Sequence, residues 1–479
     1  MATKKDLVEA YSFSRRRLVT AFVSGAPGGR EVEPARPGRM IVGGVALAVL
    51  LIAGAAIAGA LSGRAPEDWN SPGNLVTDNH GALYVVLTDE QSQGQAKLRP
   101  VINVTSARLI LGSKVQTKSI PDDDLASADK GPSIGILDAP PTVPGPDRLL
   151  NSGWVSCTAA GKGVQTEVTP SAAVEPAPDS AFVVRAQKSG VRYVIAQATA
   201  PGHRNRAYRY RAPEDADALY SDLHLEAADE IVVPDAWLAL FPVGGTLDQD
   251  GLGLDGWGEA ANLAGYSTAR VGDYYERSGQ VYAVSRDGFV LLDEFAFAVL
   301  RNTRLGKGYP RLIEENSESA PFDNVGSTYD DAAWPQAPVS GGSTPSTATV
   351  CGVLDTAEGE EPGVTLATFP SGPTMLGDIA PADADVRVEP GYGAVVHSAD
   401  WNTSSGGTVH LVDDAGRSYS IAGDLEVENL GYGGVPAVVV PESWLQLFRP
   451  GPDLSQLDAL CPPRPTSSAA EAPTGPSCA

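Results

Sequence analysis

Apolar positions along the chain follow three rhythms. From Met40 to Leu61 they run for 22 residues without one ionisable side chain. At 1.5 Å rise per residue such a helix reaches ~33 Å, enough for the hydrocarbon core of a bilayer. Ahead of it, Leu7, Val8, Tyr11, Leu18, Val19 and Phe22 recur close to helical spacing, with Arg15, Arg16 and Arg17 between them. That pattern predicts a basic amphipathic helix. Beyond residue 61, short β-branched and aromatic runs alternate with turn formers, which predicts strands and hairpins.

The third rhythm repeats. Ala82-Leu83-Tyr84-Val85-Val86, Val191-Arg192-Tyr193-Val194-Ile195, Gln280-Val281-Tyr282-Ala283-Val284 and Thr408-Val409-His410-Leu411-Val412 are strand-like with Tyr or His at the centre. After three of them comes an apolar-Pro-acid pattern, at Ile120-Pro121-Asp122, Val233-Pro234-Asp235 and Val440-Pro441-Glu442. Pro at the first helical position with an acid in the first turn starts a helix favoured by the macrodipole. Two copies continue alike, as Trp237-Leu238-Ala239-Leu240-Phe241 and Trp444-Leu445-Gln446-Leu447-Phe448; Leu292-Asp293-Glu294-Phe295 stands as a degenerate third. The expectation is four modules of strands closed by a short helix.

Charge divides the chain. The formal net charge is −24, but residues 1–39 carry +4, which leaves −28 for the rest. A cleavable signal peptide is the competing reading of 40–61, because Ala56-Ile57-Ala58 has the A-x-A form. The 39 residues ahead of it and its length oppose that reading. The positive-inside rule then places 1–39 in the cytoplasm and the bulk of the chain on the exported side. An acidic exported part has no basic face for nucleic acid. The basic helix beside the membrane can lie on anionic lipid or dock on a partner, with Arg15, Arg16 and Arg17 as the contacts.

Cys157, Cys351, Cys461 and Cys478 all follow the span, where disulfides form. Of the three pairings, Cys157–Cys351 with Cys461–Cys478 is preferred; free thiols are the alternative. A bond between the first two would join residues 149–188 and 310–388 into one central domain, with two repeats inserted in it. The expected division is a cytoplasmic segment 1–39, a transmembrane helix 40–61, a stalk 62–78 and a first repeat 79–148. A first central part 149–188 precedes the second and third repeats, 189–263 and 264–309. A second central part 310–388, a fourth repeat 389–460 and a Pro-rich tail 461–479 complete it. The fold class is mainly β with short helices.

Catalytic chemistry is poorly represented. Gly161-Lys162-Gly163 and Gly306-Lys307-Gly308 lack the upstream Gly and following Ser or Thr of a phosphate-binding loop. His80, His203, His224, His397 and His410 stand far apart, and no G-x-S-x-G elbow or local metal-ligand cluster accompanies them. No catalytic residue, cofactor or metal ligand is assigned. The run His203-Arg204-Asn205-Arg206 with Tyr208-Arg209-Tyr210-Arg211 is basic within an acidic region. It reads as a solvated loop or as a contact for an acidic neighbour or wall polymer.

Four segments carry a resemblance over almost the whole chain. They are Tyr11-Ser12-Phe13-Ser14-Arg15-Arg16-Arg17-Leu18, Gly135-Ile136-Leu137-Asp138-Ala139-Pro140, Trp154-Val155-Ser156-Cys157 with Cys351, and Arg449-Pro450-Gly451-Pro452-Asp453-Leu454. In this order the chain resembles the EccB family, the single-pass core component of type VII (ESX) secretion systems in actinobacteria. The resemblance implies an inner-membrane complex with EccC, EccD and EccE subunits and a mycosin protease docked outside. It also implies self-association and four repeats around a central β domain in an elongated, propeller-like exported part. Repeats of this kind are similar to a cell-wall-binding subunit of a phage lysin. Members are sometimes described as ATPases. The function expected is structural, with a periplasmic nucleotide hydrolase or a cell-wall anchor as alternatives.

Overall fold

A computed structural model of the chain describes residues 4–24, 65–88, 96–314, 321–369 and 376–464. The expected span 40–61 and Cys478 lie outside these residues. Two units are distinguished, 1–66 and 67–479. The described part of the first is dominated by one helix, Lys4–Ser24. Among the described residues no helix is long and apolar enough to cross a membrane.

The second unit is mainly β with short helices. Its first sheet contains β1 (Leu75–Thr77), β2 (Leu83–Thr88), β3 (Ala96–Val101) and β4 (Thr117–Ser119) in the order β3-β2-β1-β4. The first three form an antiparallel meander, and β4 returns parallel to β1 through the crossover helix Val104–Leu111. Asn103 caps that helix by accepting from Ser106 N at 2.8 Å, as a short side-chain acceptor does for an orphan helix donor.

β5 (Trp154–Thr158), β6 (Val164–Val168) and β7 (Glu175–Pro176) leave this module for another sheet. The chain then repeats the first topology. β8 (Phe182–Ala186), β9 (Arg192–Ala198) and β10 (Arg206–Arg211) form a meander, the crossover helix is Asp217–Asp222, and β11 (Ile231–Val233) returns parallel to β8. A third meander follows in β12 (Tyr274–Arg277), β13 (Gln280–Val284) and β14 (Phe289–Leu292), with crossover helix Glu294–Asn302. Its return to the first strand is reduced to a single parallel bridge, Tyr274 to Leu312. β15 (Asn324–Val325) adds to the far edge, parallel to β14.

The expected degenerate helix start at Leu292–Phe295 is therefore corrected. Asp293 caps the crossover helix, accepting from Ala296 N at 2.8 Å, and is not the counterpart of the Pro-led turns. Module edges also shift: β1 and β8 precede residues 79 and 189, because the Tyr-centred runs are the middle strands of their meanders.

β16 (Val350–Asp355), β17 (Gly363–Thr368) and β18 (Ala384–Val388) complete a six-stranded sheet, β18-β6-β5-β16-β17-β7. The last module has β19 (Ala394–Ala399), β20 (Thr408–Val412) and β21 (Arg417–Ile421) as its meander. Its crossover helix is Asp424–Leu430, and β22 (Val439–Pro441) returns parallel to β19. β23 (Arg449–Pro450) pairs with β21. Among the described residues no strand order closes into a barrel or a propeller; each module ends at the edge strands its own meander and return leave.

Pro121, Pro234 and Pro441 sit one residue earlier than expected, as helix N-caps. They share one conformation, with φ of −58°, −60° and −60° and ψ of 143°, 141° and 139°. After two of these turns Trp237 and Trp444 are fully buried. Trp237 Nε1 donates to Ser156 O of the central sheet at 3.0 Å, and Trp444 Nε1 donates to Leu240 O of the second module at 3.1 Å. They share a core with Trp154, Phe182, Phe241 and Phe448, which joins the central sheet to the second and fourth modules. The second and third modules share another core around Tyr210, Phe289 and Phe295.

Candidate functional site

Four places bear on function: the N-terminal helix, the cysteine link, the basic run, and the clefts of the second unit. On the Lys4–Ser24 helix, Leu7, Val8, Tyr11, Leu18 and Val19 are all exposed. At about 100° per residue they make one stripe, within which Arg15 falls while Arg16 and Arg17 flank it. The helix thus presents an apolar face with cations in and beside it.

Cys157 and Cys351 face each other across the antiparallel pair β5–β16 and are joined in a disulfide, with Cα atoms 4.1 Å apart. Both are fully buried beneath Val155, Ala367 and Leu376, on the face of the central sheet opposite Trp154. Cys461 is also disulfide-bonded.

The basic run is not a solvated loop. It forms the β9–β10 hairpin and β10 itself, and His203, Arg204, Arg206 and Arg209 are engaged inside the unit while Arg211 is exposed. Arg206 is 1% exposed. Its guanidinium donates to Tyr208 Oη at 3.0 Å, to Pro362 O at 3.3 Å, and to Trp401 O and Asn402 Oδ1. Glu361 lies 3.7 Å away and the Trp401 ring 6.0 Å. Arg204 reaches Asp355 Oδ2 at 2.6 Å and Glu361 O at 2.9 Å, and His203 Nδ1 sits 3.0 Å from Glu361. Arg209, whose pKa burial lowers, donates to Leu238 O at 2.8 Å. One hairpin therefore locks the second module onto the β16–β17 loop and the fourth module. The partners lie some 150 to 200 residues further along the chain, beyond the reach of local pattern.

A groove of about 1000 Å³ lies between the second and fourth modules, lined by Phe241, Val243, His410, Ser418, Glu442 and Asp453 among others. His410 Nδ1 is 3.1 Å from Ser418 Oγ, and burial lowers the His410 pKa. Ser443 Oγ is buried there without a hydrogen-bond partner among the described residues. Elsewhere Asp78, His80 and Asp122 bring ligand-type atoms within 4.8 Å of one another, although 78 and 122 are far apart in sequence. His80 pairs with Asp122 at 3.7 Å on the surface. Asp78 Oδ1 accepts from Ala82 N and His80 N, and the Ala82 bond foremost holds its carboxyl below the usual range. Both Gly-Lys-Gly fragments are turns: Lys162 pairs with Asp378 at 3.0 Å between β5 and β6, and Leu305 and Gly308 bond reciprocally around Lys307.

The EccB family model, described as "Type VII secretion system ESX-1, transport TM domain B", matches residues 1–463. The chain belongs to the EccB family. "ESX-1 secretion system ATPase EccB1" of Mycolicibacterium smegmatis (strain MKD8) is 34% identical over 26% of this chain and 24% of that protein. "ESX-1 secretion system ATPase EccB1" of Mycobacterium tuberculosis (strain CDC 1551 / Oshkosh) is 30% identical over 36% and 34%. The chain thus spans about a quarter to a third of these EccB1 relatives in the matched regions. "ESX-3 secretion system ATPase EccB3" of Mycobacterium tuberculosis (strain ATCC 25618 / H37Rv) is 26% identical over 81% of the chain and 76% of that protein. In fold the chain is similar to a chain of the intact ESX-5 inner membrane complex, with TM-score 0.58 and 24% identity over 99% and 98% of the two chains. It is also similar to the EccB3 dimer from the ESX-3 core complex, with TM-score 0.58 and 21% identity over 81% and 99%.

Proposed function

We propose that this EccB chain is a structural subunit of an inner-membrane type VII secretion complex and stabilises the assembly on its exported side. The family match over residues 1–463 carries the reading. The locked second unit supports it, because a hairpin whose Arg204 and Arg206 are spent on internal joints makes a stiff part. On this reading residues 40–61 are a single transmembrane helix, with 1–39 in the cytoplasm and the repeats forming an elongated, propeller-like exported body. EccC, EccD and EccE type subunits are the partners in the membrane, a mycosin protease docks outside, and exported parts associate with one another.

The exposed stripe of the N-terminal helix, with Arg15, Arg16 and Arg17, is the assembly contact, and anionic lipid supports it. Replacing all three arginines with Glu is expected to strip the membrane partners from the tagged chain on purification. Recovery of every partner at normal yield would sink the contact.

The names of the relatives favour a second reading, nucleotide hydrolysis. ATP turnover by the purified full-length chain discriminates: activity that co-elutes with the chain and persists after contaminant removal would replace the structural reading.

A further inference from the structure

We propose that the cleft beside β15 is a binding site for a lysine or arginine side chain carried on an extended segment of a partner polypeptide. The cleft has a volume of about 840 Å³. Among the described residues its charged lining residues are Asp293, Glu294 and Asp330, and no Lys, Arg or His lines it. Leu291, exposed, and Phe297, half-buried, form its apolar wall. Such a wall suits the alkyl stem of a long cationic side chain, which buries its methylenes and keeps its charge at the rim.

Asp293 is the anchor of this chemistry. One carboxylate oxygen is spent on Ala296 N at the helix start, and the other is 3.4 Å from Tyr329 Oη, which also lies 3.2 Å from Leu291 O. No cation pairs with Asp293 among the described residues, and burial raises its pKa. Tyr329 is stacked on Trp334 with centroids 5.7 Å apart and itself lines the cleft. An aromatic ring beside unpaired carboxylates attracts a cation by its quadrupole as well as by charge.

The sheet edge makes the occupant a strand rather than a free cation. β15 is last in its sheet, pairs only with β14 among the described residues, and its Asn324 and Val325 line the same cleft. An open edge offers backbone donors and acceptors to an incoming strand, and alternate side chains of that strand then fall on the cleft side. This binding chemistry holds whether or not the chain hydrolyses nucleotide.

The test uses the full-length chain in detergent and a fluorescein-labelled peptide of alternating valine and lysine, with its valine–glutamate counterpart and spermidine as controls. Asp293→Asn/Glu294→Gln/Asp330→Asn is expected to weaken the lysine peptide by about tenfold or more. Asn still caps the helix at position 293, so the fold is kept. Neutralising Asp123, Asp124 and Glu428, on the first and fourth modules, is expected to change affinity less than about twofold. The single exposed reversal Asp330→Lys gives a second variant with the core untouched, and it too should weaken the peptide. A photo-crosslinking version of the peptide should mark the segments holding Leu291 and Tyr329. Equal losses in both triple variants, equal binding of the glutamate peptide, or crosslinks elsewhere would overturn the site. Spermidine binding as tightly as the peptide would overturn the strand.

Discussion

Arg206→Met removes the guanidinium that ties three parts of the second unit together. In the folded chain this group is 1% exposed and serves Tyr208 Oη, Pro362 O, Trp401 O and Asn402 Oδ1, with Glu361 at 3.7 Å. Methionine fills much of the stem volume but leaves the buried Pro362 carbonyl and the part-buried Trp401 carbonyl unpaired and Glu361 without its buried cation. Each orphaned acceptor costs about 1–3 kcal/mol, and breaking a buried charge pair from one side costs about 3–5 kcal/mol in all, since these terms overlap. Arg204, two residues earlier, is the control. Its acids Asp355 and Glu360 have side chains 55% and 60% exposed, so solvent screens them and Arg204→Met should cost no more than about 1 kcal/mol. Urea unfolding of the full-length chain, followed by tryptophan fluorescence, reads both variants; Trp401 against the guanidinium reports the joint directly. A loss at Arg206 no larger than that at Arg204 would refute the clamp.

Two further outcomes concern the same unit. Cys157→Ala/Cys351→Ala opens a loop of 194 residues. On chain entropy alone this is worth up to about 5 kcal/mol; an unchanged urea midpoint would mean that the link stores none of the stability. Asp293 has its pKa raised above 3.8 by burial, so the native state holds its proton more tightly than the unfolded chain does. Stability from this group is full below the unfolded value and declines as pH rises through the raised folded value. Asp293→Asn should therefore raise the melting temperature at neutral pH, and the gain should vanish in acid below the unfolded pKa; a constant gain across that range would exclude titration as its source.

The middle strand of each meander was legible because a Tyr- or His-centred apolar run marks it. The Pro-led turns were legible because Pro forces one backbone geometry wherever it precedes an acid-led helix. What failed was reading charge locally. His203 to Arg211 is basic in sequence, yet its compensating groups, Asp355, Glu361, Trp401 and Asn402, come from loops much later in the chain. Asp78, His80 and Asp122 were invisible for the same reason, since β4 and the turn after it must return beside β1 before they meet. The third module misled because its return strand has shrunk to one bridge at Leu312, where Asp273, fully buried, pairs with Arg311 at 2.9 Å. The polar residues there lack the apolar-Pro-acid triplet that marks the other returns.

The residue three places after each Pro decides how its module is attached. In the second and fourth modules it is Trp237 and Trp444, and both indoles enter the core around the central sheet. In the first it is Asp124, in a turn whose Asp122 and Asp123 are exposed. An aspartate cannot enter an apolar core without a partner, so the first module cannot dock by this turn. It docks through its crossover helix instead: Asn429 Nδ2 donates to Leu109 O at 2.8 Å, and Leu109 joins Leu411, Ile421 and Leu430 in a separate core. Gly135 N also donates to Cys461 O at 3.0 Å. The second and fourth modules thus enter the core of the central sheet, whereas the first joins the fourth through a separate core of Leu109, Ile136 and Val143 against Leu411, Tyr419 and Leu430. That smaller core leaves out the central sheet, so opening at this joint keeps the Trp-lined core intact, and amide exchange in the Val104–Leu111 helix should precede exchange in β5 and β16.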